Sequence, residues 1–203
     1  MPRWSPDGVE RLQEAAFALF DERGFERTTV AEIAQRAGLT QRTFYNHFAD
    51  KREVLFGLAS AYEQEVVGAI EAQGPATQPL QVVVRALQRA AEATFEGRRD
   101  AVVRRHGVIA ANPDLRERER TKQAALAAAV AGALEARGVD RDTALLLAGV
   151  GLLVQQASFE RWARPDETRP LRRLLGDVAR QLRSDLDVDL APDGDDRDPV
   201  ERP

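Results

Sequence analysis

Residues 24–56, GFERTTVAEIAQRAGLTQRTFYNHFADKREVLF, leave this chain little freedom in how it folds. Thr29 followed three residues later by Glu32 is a capping box that opens a short helix. Val30, Ile33, Ala34 and Ala37 recur at helical spacing, and Gly38 stands where a left-handed cap would end the helix. Only Leu39 separates Gly38 from Thr40, a second N-cap, after which Phe44 and Phe48 supply a buried stripe. Asp50, with Glu53 at the capping-box distance, starts the next helix and puts Lys51 in its first turn. Two short capped helices joined by a Gly-containing turn make a helix-turn-helix.

The second helix of the pair carries the chemistry. Thr40, Gln41, Arg42, Thr43, Tyr45, Asn46 and His47 crowd about two turns with hydrogen-bonding groups. A helix packed only for stability seldom exposes a Tyr, an Asn and a His together, whereas a helix lying in a DNA major groove needs such groups. Arg42 can bond guanine O6 and N7 in a bidentate fashion, and Gln41 or Asn46 suits adenine. Tyr45, His47, Thr28 and Lys51 are expected on phosphates, which set register and carry no sequence information. Thr29, Thr40 and Thr43 complete the expected DNA-binding set.

The stretch resembles the TetR family of transcriptional regulators. The resemblance lies in Gly24-Phe25, Thr28-Thr29, Ile33-Ala34, Ala37-Gly38-Leu39-Thr40, Thr43-Phe44-Tyr45, His47-Phe48 and Lys51, and covers residues 9–58. Arg42 stands where a small residue is frequent in that family, and Asn46 where an aromatic often follows the Tyr. Both departures fall on side chains able to read base edges, so they bear on which operator is bound.

The net charge of −4 looks wrong for a DNA binder until it is divided. From Asp185 onward eight acidic residues face only Arg197 and Arg202, a net of −6, so the remainder of the chain carries +2. Affinity for DNA must then come from a few well-placed cations. The apolar run Ala144 to Val154 is 11 residues long, short of the eighteen or so that span a bilayer, and no membrane partner is expected. No apolar signal core follows Arg3, and there is no cysteine, which fits a cytoplasmic protein.

Apolar residues keep helical spacing throughout, so the fold class is all-α. The expected helices run over 7–23, the capped pair, 51–72, 79–96, 100–111, 113–137, 141–163 and 171–186, about nine in all. Gln73-Gly74-Pro75, Gly97, Asn112-Pro113, Gly138 and Pro165–Pro170 separate the later ones. An N-terminal helix-turn-helix domain (1–48), a helical ligand-binding and dimerisation domain (49–186) and an acidic disordered tail (187–203) are predicted. In the tail, Asp185, Asp187 and Asp189 mimic the start of a calcium loop, but Leu190 replaces the necessary Gly, so no metal site is expected.

The last two expected helices look like a dimer surface. The first is apolar nearly all round, and the second carries Leu171, Leu174, Leu175, Val178, Leu182 and Leu186 on one stripe. A monomer core explains that pattern equally well; the resemblance implies a homodimer through these helices, bound to a near-palindromic operator. It also implies a cavity for a small-molecule effector. Tyr62, Phe95, His106, Gln155, Gln156 and Phe159 are the candidate lining, being polar or aromatic groups on otherwise apolar helices. Two His, no Cys, no phosphate loop and no metal-ligand or triad spacing argue against an enzyme, and neither catalytic residues nor a cofactor are expected. The implied function is a dimeric repressor released by an apolar or aromatic ligand, the alternative being a dimeric DNA-binding protein without such a switch.

Overall fold

The computed structural model describes residues 7–75 and 77–186, and among them every regular element is a helix. The acidic segment 187–203 lies outside the described residues. In chain order the helices are α1 (Asp7–Arg23), α2 (Val30–Arg36), α3 (Gln41–His47), α4 (Glu53–Phe56), α5 (Ala59–Glu71), α6 (Pro79–Phe95), α7 (Arg99–Ala111), α8 (Pro113–Ala136), α9 (Arg141–Trp162) and α10 (Leu171–Asp185).

The difference from the expected nine is local. The helix expected over 51–72 is interrupted: the Asp50 carboxylate accepts from the amides of Arg52 and Glu53, α4 makes a single turn, and Gly57–Leu58 separate it from α5. A Cβ at Gly57 would stand 3.3 Å from the Phe48 ring and 3.4 Å from the Gln13 amide, so the interruption lies close against α1 and the end of α3. Counted as one interrupted helix, α4 and α5 restore nine.

Two cores result. Leu12, Phe20, Ile33, Phe44 and Leu55 lie at the centre of the first, built from α1–α4 and closed from below by Ile109 of α7 and Leu115 of α8. The second is formed by α5, α6, α8, α9 and α10 around Val66, Val83, Leu87, Leu134 and Leu174. Helices α9 and α6 touch closely: a Cβ at Gly151 would come within 2.5 Å of Val83 Cγ1, so only glycine fits there.

The stripe on α10 has a different role from the one expected. Leu171, Leu174, Leu175 and Val178 are buried within a single copy of the chain, in the second core. On α9, Ala144, Ala148, Gly151, Val154, Ser158 and Trp162 face that core. The opposite side leaves Leu146 66% and Leu153 65% exposed, with Leu145 beside them and Leu186 exposed at the end of α10. Helix α9 is also, by length and composition, apolar enough to cross a membrane. Its core face holds Ser158, whose hydroxyl donates to the Val154 carbonyl at 2.6 Å, and packs on protein.

Candidate nucleic-acid interface and effector cavity

Local hydrogen bonds shape the helix-turn-helix. The Thr29 hydroxyl accepts from the Glu32 amide at 3.3 Å, and the Glu32 carboxylate accepts from the Thr29 amide at 2.9 Å. Gly38 at φ +66 then ends the turn, its conformation costly for any residue with a side chain. Thr40 caps α3 by accepting from the Thr43 amide at 3.0 Å, and its hydroxyl lies 2.9 Å from that of Thr43. Phe44 is fully buried and Phe48 stacks beside it at 5.5 Å, which fixes how α3 is rolled.

That roll turns Gln41, Arg42, Tyr45 and Asn46 outward together. Tyr45 is 55% exposed, with its ring edge-on to Phe44 at 5.6 Å. Among the described residues no hydrogen bond or ion pair holds the polar ends of these four, so they are available to base edges and phosphates. His47 lies half-buried at the end of α3 beside Phe48, and its Nε2 would be 3.6 Å from a Cβ placed at Gly8 of α1.

Two residues expected on phosphates are hydrogen-bonded within the fold. Thr28 is buried, 1% exposed, and its hydroxyl donates to the carbonyls of Gly24 at 2.9 Å and Leu19 at 3.4 Å. It closes the turn after α1. Lys51 donates from Nζ to the carbonyls of Phe25, Glu26 and Thr28 at 2.8, 3.1 and 3.1 Å, and lies 4.4 Å over the Phe25 ring. All three ammonium donors are thereby used, so Lys51 ties the chain just ahead of α4 to the turn before α2. Thr29, Thr40 and Thr43 serve the caps. Sequence reasoning missed Arg11, which reaches from α1 across the turn to donate to the Ala37 carbonyl at 2.5 Å. Nothing local marks that arginine, because its partner is 26 residues away.

The capping box has a pH signature. Hydrogen bonds from the Thr29 amide and then the Thr29 hydroxyl, with Arg23 beside them, hold the Glu32 carboxyl below the usual range. A depressed carboxylate stabilises above its unfolded pKa, and that stability is lost as pH falls through the folded value. In acid melts, Glu32→Gln keeps the cap acceptor but removes the charge. The wild type should therefore lead this variant near neutrality, and the gap should close below the ordinary glutamate range; a gap independent of pH would contradict the assignment.

The six residues expected around an effector gather at two adjoining cavities between α5, α7, α8 and α9. Tyr62, Phe95, Gln155 and Phe159 line one of about 180 Å³, where the Tyr62 hydroxyl donates to Gln155 Oε1 at 3.1 Å. Burial raises the Tyr62 phenol, which stays a neutral donor. The Tyr62 and Phe95 rings lie 5.0 Å apart and those of Phe95 and Phe159 5.4 Å apart. His106 and Gln156 flank the second, of about 260 Å³, which shares Gln155 and Phe159 with the first; both side chains are exposed at its mouth. Arg105 and Glu119 border both cavities. A larger cleft of about 510 Å³, floored by Phe17, Val54, Leu55 and Leu58, opens between α1, α4 and α7. Its walls come from three distant stretches of chain, so no sequence pattern announces it.

Residues 12–58 match the family described as bacterial regulatory proteins, tetR family. Over 74 residues the chain is 36% identical to the HTH-type transcriptional regulator TcmR of Streptomyces glaucescens, covering 36% of this chain and 33% of that one. It is 48% identical over 44 residues, 22% of each protein, to the HTH-type transcriptional repressor KstR2 of Mycobacterium tuberculosis. The matches thus span less than half the length of these curated relatives, and their names are those of regulators, not enzymes. Likeness extends further in structure. The Thermus thermophilus transcriptional repressor FadR, solved in complex with lauroyl-CoA, is 28% identical, with 92% of this chain and 99% of that one covered at a TM-score of 0.52.

Proposed function

We propose that this chain, which belongs to the TetR family of bacterial regulatory proteins, is a homodimeric repressor that leaves its operator when a small apolar or aromatic molecule enters the helical body. The observation that carries the DNA-binding part is the outward face of α3, where Gln41, Arg42, Tyr45 and Asn46 stand free while Phe44 and Phe48 anchor the helix below. In this reading residues 1–48 form the DNA-reading head, residues 49–186 the ligand-binding and dimerising body, and the protein works in the cytoplasm. The exposed leucines of α9 support pairing, since an apolar stripe of that kind is a surface to be covered. Kinship with repressors, one of them in complex with an acyl-CoA, supports repression and an effector with an apolar part.

Selection of bound sequences from a random DNA pool tests this directly. The expected product is an inverted repeat, its half-sites one DNA turn or a multiple of it apart. Arg42→Ala should cost about 1–3 kcal/mol at one base position and relax the preference there. An unchanged selected sequence would remove Arg42 from base reading.

A second reading, a dimeric DNA-binding protein without a switch, is favoured by the size of the inner cavities. At about 180 and 260 Å³ each lies below the ~300–1,000 Å³ usual for small-molecule sites. Measuring melting and operator affinity across a panel of apolar and aromatic compounds separates the two. A repressor with a switch gives compounds that raise the melting temperature and release DNA; compounds that stabilise without releasing DNA support the second reading.

A further inference from the structure

Helix α4 is four residues long, too short to hold its own shape or angle by backbone hydrogen bonds. Side chains from α7 and α8 grip it instead. The Arg105 Nε donates to the Leu55 carbonyl at 2.5 Å. Arg118 forms an ion pair with Glu53. The buried Phe56 ring has both guanidinium groups over it, that of Arg105 at 5.2 Å and that of Arg118 at 5.7 Å.

Of the two arginines, Arg105 alone also faces the cavities. It borders the 180 and 260 Å³ spaces behind it and the 510 Å³ cleft in front. With Leu55 held by Nε, its two Nη groups fork onto the Glu119 carboxylate at 2.6 and 3.4 Å. A guanidinium is rigid and planar, so its three nitrogens move as one unit. Anything that shifts Glu119, or offers the Nη groups another acceptor, therefore also moves the donor on Leu55.

We propose that Arg105 is the positioning residue that sets the angle of the DNA-reading head and passes occupancy of the inner cavities to it. The inference rests on the reading as an operator-binding dimer. Its distinguishing readout is the ratio of affinity for a full two-half-site operator to affinity for a single half-site. Loss of folded protein lowers both affinities alike, whereas a head free to swing spoils only the full site, which needs two heads in register.

The test uses the full chain with the operator selected from a random pool, read by fluorescence anisotropy beside thermal melts. Arg105→Ala should lower the full-to-half-site ratio by about tenfold or more and leave half-site affinity unchanged. Arg105→Lys keeps a charge beside Glu119 and Phe56 but lacks the Nε–H that reaches Leu55, and should lose the ratio while melting like the wild type. Leu126→Trp, which fills the smaller cavity from α8, serves as a built-in occupant. It should lower the ratio in the wild type and add nothing in the Arg105→Ala background. A folded Arg105 variant whose ratio stays within about twofold of wild type, or an additive effect of Leu126→Trp, overturns the proposal. A wild type that binds full and half-sites equally overturns the dimeric-operator reading, and this inference falls with it.

Discussion

Replacing Leu146 and Leu153 together with glutamate is expected to give a folded monomer that has lost operator affinity by roughly a hundredfold or more. Each leucine is about two-thirds exposed in a single copy and makes no part of its core. Covering a leucine contributes about 1.5–3 kcal/mol, and a two-fold interface counts every residue twice. Four carboxylates brought together there would be desolvated without partners, so the pairing fails while each copy keeps its fold. Sedimentation at micromolar concentration reads the assembly, and a double variant that still sediments as a dimer would move the interface elsewhere. Leu175→Glu makes the contrast: it places a charge at a fully buried site between α10, α6 and α9, and should unfold the body instead of separating two bodies.

Lys51→Ala should behave as a folding mutation with a consequence for DNA. Its ammonium satisfies three carbonyls of the turn between α1 and α2, and a hydrogen bond to a charged group is worth about 1.5–3 kcal/mol. A loss of that size lowers the melting temperature by about 3–12 °C for a chain of this length. Operator affinity falls because α3 is less firmly set, but the dependence of affinity on salt keeps its slope. A lysine on a phosphate would do the opposite, reducing that slope by about one with little change in melting. The two measurements on one variant decide which role Lys51 has.

What could be read from the sequence was mostly what neighbours in the chain decide. The caps at Thr29 and Thr40, the left-handed stop at Gly38 and the breaks at Gly97 and Gly138 stand where their spacing places them, because each is a contact within a few residues. Asn112 is an instructive exception: it precedes α8 as expected, yet its amide donates backward to Val108 O at 2.6 Å and closes α7. The interruption at Gly57 was not legible, since the groups that lie against it, Phe48 and Gln13, come from other parts of the chain. An amphipathic stripe says that a face is covered and not by what, which is how Leu171, Leu174, Leu175 and Val178 of α10 could suggest a partner copy while packing in their own core. Thr28 and Lys51 show the same limit in polar form. Residue type tells what a side chain can bond, and only the turn around Gly24 and Phe25 shows that these two are already engaged.

Helix α9 is loaded on both flanks. Gln155 and Phe159 look into the cavities, Gly151 rests against Val83, and Leu146 and Leu153 look away from the body. With Gly151 packed this closely on Val83, the helix would respond as a rod. In a paired molecule the two rods would share one seam, so a guest entering one body would strain or relax its twin before a second guest arrives. The response to effector would then be steeper or shallower than a simple hyperbola, and its Hill slope would report how stiff that seam is.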